Sequence, residues 1–159
     1  MRLLHRRRAG AGLLASAATH ADIQIHGSLS TADEPRVVAG AVRPHLVVAN
    51  GGRLAIGRNL VIGRGCGLYF AGNSSIGDDV VVGPFVFIMD FAFHVAGDPW
   101  GVPEPRSVRI GDRVVVGAWS VVLPGAEIGD DVVVAPGSVV RGMIPTGSRV
   151  TGNPASVNG

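Results

Sequence analysis

One cysteine among 159 residues excludes an internal disulfide framework. Aromatic residues amount to 5% of the chain, against 47% hydrophobic residues in all, which implies an interior of stacked aliphatic side chains with no room for rings. No run of about 18 apolar residues occurs, so a membrane-spanning helix is not expected. The net charge is only +2, and much of the basic balance sits in Arg6, Arg7 and Arg8. A short terminal cluster without interleaved aromatics is a weak nucleic-acid footprint, and no nucleic-acid partner is expected.

What is abundant is glycine, with 24 residues, and it recurs at a fixed interval. From Ile56 the chain divides into six-residue units that open with an aliphatic residue followed by a small one. They read IGRNLV (from Ile56), IGRGCG (Ile62), IGDDVV (Ile76), VGPFVF (Val82), IGDRVV (Ile110), VGAWSV (Val116), VLPGAE (Val122), IGDDVV (Ile128) and VAPGSV (Val134). Internal repetition outranks local propensity as a guide to fold.

Six extended residues span roughly 20 Å at about 3.3 Å each, one flat strand and its corner, and three such sides close a triangular coil. The opening Ile or Val points inward and stacks on its equivalent in the next coil. The fifth position (Cys66, Val80, Val114, Ser120, Ala126, Val132, Ser138) stays small because the interior is narrow. Cys66 therefore reads as an inward residue, with no histidine near it in the repeat to make it a nucleophile. Glycine in second place permits a tight corner or a close approach of strands, and Asn, Asp and Gly at the third and fourth places supply turn chemistry outside.

Residues 1–20 form a basic N-terminal arm outside the repeat. Their arginines and the small-residue run Ala15-Ser16-Ala17 imitate a secretory signal, but the apolar stretch is short and diluted, and the expected location is cytoplasmic. Residues 21–159 make one domain. Its first coils, Ile23 to Gly52, are irregular, as terminal repeats are when they cap an open end. The segment Met89 to Ser107 leaves the period, carries Pro99, Pro103 and Pro105, and returns to register at Ile110. Such an excursion from a rigid array is where function concentrates. After Val140 an extended, non-helical tail follows, marked by Pro145 and Pro154.

The chain resembles the hexapeptide-repeat acyltransferases, the left-handed parallel β-helix family, and most of all their sugar and capsular-polysaccharide O-acetyltransferases. The likeness runs from about Ile56 to Ala155. It rests on IMDFAFH (Ile88 to His94), on the stretch IGDRVVVGAWSVVLPGAEIGDDVVVAPGSVV from Ile110, and on the terminal GNPA (Gly152 to Ala155). Parallel crossovers are normally right-handed, so the left-handed coil follows from the resemblance alone. The resemblance also implies a homotrimer with sites between subunits, and acetyl-CoA as donor to a hydroxyl of a sugar or polysaccharide precursor, without a metal.

His94 is the candidate general base: four of the five histidines (His5, His20, His26, His45) precede the regular array. A neutral imidazole near its ordinary pKa of about 6.5 removes a proton from an attacking hydroxyl. Asp90 is its candidate partner or an acceptor ligand. By similarity, the oxyanion donor is the backbone N–H of Ala118. Gly117, Ala118, Trp119, Ala135, Pro136, Arg141 and Arg149 are the candidate donor-binding residues; Tyr69, Asp90 and Trp100 are those for the acceptor. The chain departs from the family pattern at Pro136, which has no N–H to give to coenzyme A, at Val115 in place of tryptophan, and at Ser156 in place of a basic residue.

The same architecture in a γ-class carbonic anhydrase needs three histidines around zinc, and no histidine follows His94. The alternatives of a different class are a non-catalytic scaffold, or a transferase with another acyl donor or an amine acceptor. A pure scaffold would gain nothing by breaking its own ladder between Met89 and Ser107.

Overall fold

The computed structural model describes residues 20–38, 40–92 and 104–158. Among them the chain visits three parallel sheets in turn. The first holds β1 (Asp22–Ile25), β4 (His45–Val48), β7 (Gly67–Phe70), β10 (Phe87–Met89), β13 (Val121–Val122) and β16 (Val139–Val140). The second holds β2 (Ser28–Thr31), β5 (Arg53–Ile56), β8 (Asn73–Ile76), β11 (Arg109–Ile110), β14 (Glu127–Ile128) and β17 (Met143–Ile144). The third holds β3 (Arg36–Val37), β6 (Val61–Ile62), β9 (Val81–Val82), β12 (Val115–Val116), β15 (Val133–Val134), β18 (Arg149–Gly152) and β19 (Ala155–Asn158). Strands n and n+3 pair in register, so the fold is a parallel β-helix of hexapeptide repeats. No helix among the described residues is long and apolar enough to cross a membrane.

The repeat pattern explains the core. Ile56, Ile76, Ile110, Ile128 and Ile144 pair coil to coil along the second sheet, and all are buried. Ile62, Val82, Val116, Val134 and Val150 do the same along the third. Each such side chain contributes about 1.5–3 kcal/mol when fully buried. Fifth-place residues Cys66, Val80, Val114, Ser120, Ala126, Val132 and Ser138 are buried too. Burial pushes the Cys66 thiol pKa up, against the opposing pull of backbone hydrogen bonds.

Three expectations are corrected. The interior does admit a ring: Phe70 is fully buried in register with Val48. The inward residue before it, Leu68, is fully buried as well, while the next buried residue after it, Ser74, is small. The fifth place is not uniformly small either, since Leu60 is also fully buried there. The tail is non-helical as expected, but it is a hairpin: β18 and β19 pair antiparallel around a cis Asn153–Pro154 bond and finish the edge of the third sheet.

The corners differ in a way that positions the site. Every connection from the second sheet to the third is four residues long, whereas those from the first to the second vary from two to nineteen. The long excursion leaves from this variable corner.

Candidate active site

β10 ends at Met89, opposite Tyr69, and the Asp90 N–H donates to the Tyr69 carbonyl at 3.1 Å, so the ladder continues one residue past the strand. Asp90 thus follows Phe70 in the interior column and is fully buried. A buried carboxylate needs donors. It accepts the N–H of Ala71 on Oδ1 (2.7 Å), and the N–H of Gly72 (2.9 Å) and the hydroxyl of Ser74 (2.7 Å) on Oδ2. Ser74 Oγ in turn accepts the Val108 N–H at 2.9 Å. The Arg106 N–H donates to the Asp90 carbonyl at 2.6 Å, and the Arg106 carbonyl accepts the Gly125 N–H at 2.9 Å. Both ends of the excursion are therefore tied to the coils below and above it.

Of the residues singled out from sequence, Tyr69 and Asp90 meet at this root. Tyr69 is half-buried on the outer face of the first sheet and stacks on Phe87, ring centroids 6.5 Å apart. His94 and Trp100 lie outside the described residues. Ser74 went unnoticed in the sequence. Its signal was a hydroxyl two residues before an opening isoleucine, where the matching places hold Leu54, Val108 and Ala126.

Gly117, Ala118, Trp119, Ala135 and Pro136 gather at a different corner, between the third sheet and the first. Trp119 is 67% exposed with φ of 62°, a backbone region unusual for a bulky residue. Its ring stacks on Phe85 at 4.4 Å, and the Arg64 guanidinium lies 5.8 Å from the Phe85 centroid on the ring face. Half-buried Ala118 gives its carbonyl to the Gly137 N–H at 2.9 Å, while its own N–H has no acceptor among the described residues. Arg141 and Arg149 are exposed but are not brought to this corner: Arg141 follows β16 at the corner of the excursion, and Arg149 opens β18.

Residues 107–142 match the bacterial transferase hexapeptide family (six repeats). The chain is a hexapeptide-repeat protein. This hexapeptide-repeat chain is 38% identical over 122 residues to nodulation protein L of Rhizobium meliloti (strain 1021), covering 74% of its own length and 66% of that relative. It is 25% identical to a solved maltose O-acetyltransferase from Clostridium difficile 630, with a TM-score of 0.54 over 89% of this chain and 70% of the other. The fold is shared as well with a hexapeptide-repeat acetyltransferase from Vibrio cholerae O1 biovar eltor complexed with acetyl coenzyme A, at 23% identity and a TM-score of 0.61 over 87% and 70% of the two chains. The architecture is thus the all-β, left-handed parallel β-helix that the repeat pattern and the resemblance implied.

Proposed function

We propose that this protein transfers an acetyl group from acetyl-CoA to a hydroxyl of a sugar or polysaccharide precursor, with His94 as the general base. The observation that carries the reading is the excursion bearing IMDFAFH: it leaves an otherwise regular ladder at one corner and has its root fixed by a buried carboxylate. The likeness to a maltose O-acetyltransferase supports the acceptor class, and the fold shared with an acetyl coenzyme A complex supports the donor.

In this reading His94 takes the proton of the acceptor hydroxyl as its oxygen attacks the thioester carbonyl. The tetrahedral oxyanion receives the Ala118 N–H. Collapse breaks the carbon–sulfur bond, and the departing thiolate recovers the proton from the imidazolium, leaving an acetyl ester and free coenzyme A. Asp90 serves the base from the root of its loop, Tyr69 and Trp100 border the acceptor, and Trp119 flanks the pantetheine with Gly117, Ala135 and Pro136. Arg141 and Arg149 meet the donor's phosphates.

Ala118 and Asp90 stand on different corners of the prism, about one six-residue side (roughly 20 Å) apart. That separation supports a site shared between neighbouring copies of a homotrimer, where one copy's loop faces another's Ala118. Dependence on acetyl-CoA is in keeping with a cytoplasmic enzyme. Calorimetric titration with acetyl-CoA, and with coenzyme A alone, tests the reading: binding near one site per chain is expected, and no binding of either overturns it.

A further inference from the structure

Two corners of the β-helix share a backbone path and differ in one chemical detail. Where the second sheet turns into the third, the residue after three of the corner glycines has its N–H bound by an aspartate of the next coil, while over the fourth, Gly129, sits Thr146. Arg58 N–H donates to Asp78 Oδ1 at 2.7 Å, Asp78 N–H to Asp112 Oδ1 at 2.8 Å, and Asp112 N–H to Asp130 Oδ1 at 2.9 Å. In each case the aspartate oxygen sits over the preceding glycine: a Cβ added to Gly57, Gly77 or Gly111 would lie 2.3 Å from it.

Where the third sheet turns into the first, Gly117 and Ala118 take the same places. What sits over Gly117 is Pro136, its backbone N 2.5 Å and its Cδ 2.8 Å from a Cβ built there, with the Val134 carbonyl, already bound by the Gly117 N–H, at 2.7 Å. A ring carbon accepts no hydrogen bond, and proline has no polar side-chain atom to offer instead. The Ala118 N–H is accordingly left without an acceptor, on a residue that remains partly open to solvent.

We infer that Pro136 is a positioning residue that keeps the Ala118 N–H vacant for the oxyanion, by occupying with an apolar ring the seat from which an aspartate would otherwise cap it. This rests on the proposed acyl transfer, and it gives Pro136 a purpose that its missing N–H does not. An aspartate in that seat satisfies the donor and so leaves nothing for a substrate; the third-to-first corner forgoes it twice, with Pro84 over Gly63 and Pro136 over Gly117, and only the second overlies the residue that carries the proposed oxyanion donor. A donor already committed to a neighbouring carboxylate would have to break that bond as the oxyanion forms, whereas a vacant and preoriented one does not.

The test uses the full chain carrying Pro136→Asp, Pro136→Asn or Pro136→Ala. Both Asp and Asn present an oxygen at the seat, but only Asp adds charge; Ala presents neither. Three readouts are taken: hydrogen exchange of the Ala118 amide by NMR, with the Asp112 amide as an internal standard; acetyl-CoA affinity by calorimetry; and thiol release from acetyl-CoA with maltose, or water, as acceptor. In the wild type Ala118 is expected to exchange at least about tenfold faster than Asp112. Asp and Asn should slow it to the Asp112 range and cut kcat, read at saturating acetyl-CoA, by about a hundredfold or more, the loss typical of one oxyanion donor. Ala should leave Ala118 exchanging fast and, at saturating acetyl-CoA, keep a kcat at least about tenfold above those of Asp and Asn, since it presents no oxygen to the Ala118 donor.

If Asp and Asn protect the Ala118 amide yet turnover persists, or if neither protects it, the inference is overturned. Loss of turnover in the Asp variant alone would assign the effect to charge and overturn it equally. A wild type that binds no acetyl-CoA would remove the transferase reading, while the amide exchange would still decide whether the seat at residue 136 governs the Ala118 donor.

Discussion

Ser74 and Asp90 share a hydrogen bond of 2.7 Å inside the β-helix, the hydroxyl donating to the carboxylate while it accepts the Val108 N–H. One side chain thus links the coil below the excursion to the strand by which the chain returns. Ser74→Ala leaves the Val108 N–H unpaired and Asp90 short of a donor, and an unsatisfied buried polar group costs about 1–3 kcal/mol. The variant is expected to lose about 2 kcal/mol or more in urea unfolding at fixed protein concentration. Stability equal to wild type would show that the link contributes nothing.

Gly77 and Gly137 predict opposite kinds of damage. A Cβ at Gly77 would meet Asp112 Oδ1 at 2.3 Å and the backbone of Gly111 at 2.7 Å, so Gly77→Ala forces adjacent coils apart. Overpacking costs typically about 1–3 kcal/mol and occasionally more, and here the obstacle includes backbone. At Gly137 nothing lies within 4 Å, but φ is 73°, so Gly137→Ala carries only the left-handed strain of about 1–2 kcal/mol. Thermal melts of the pair should rank Gly77→Ala clearly below Gly137→Ala; the reverse order would contradict the close-approach account.

His94→Ala is expected to reduce acetyl transfer by at least about a hundredfold, within the range that general-base catalysis contributes, while acetyl-CoA still binds with wild-type affinity. Retention of full transfer by this variant would remove His94 from the mechanism.

The corner carboxylates set an acid limit on stability. Backbone and side-chain hydrogen bonds from Arg58 hold Asp78 below its ordinary 3.8, and the Arg113 guanidinium does the same for Asp131. A folded-state value below the unfolded one means that the stabilisation is complete above the ordinary value and drains away as pH falls through the lowered one. Unfolding midpoints should therefore be flat above about pH 5 and fall below about pH 4, given unfolded aspartates near 3.9. Asp78→Asn should shallow that fall; an unchanged acid slope would mean the ion pairs at these exposed positions are fully screened.

The coil was legible from Ile56 onward because its periodicity is also its mechanism of burial: each opening aliphatic and each fifth residue is an interior residue. Phe70 was not legible. Whether a ring fits depends on how one coil shares its volume among Cys66, Leu68, Phe70 and Ser74, which no single unit displays. At the site, IMDFAFH and GAW stood out, and the buried setting of Asp90 did not, since a carboxylate at the edge of a loop reads as solvated until its donors from Ala71, Gly72 and Ser74 are seen. Pro136 was visible as a departure, but its meaning required the second corner, where Asp78, Asp112 and Asp130 occupy the matching seat.

The unequal corners have an evolutionary reading. Turns from the second sheet to the third are uniformly four residues, so an insertion there would slip every later coil out of phase. The turns from the first sheet to the second already differ in length at successive levels, and one has grown to nineteen residues without disturbing the strands that follow. Lineages can therefore trade whole loops at this vertical seam, and a designer can graft foreign segments at Gly51 or Gly142, where the backbone borders open space, leaving the remaining array to fold unaltered.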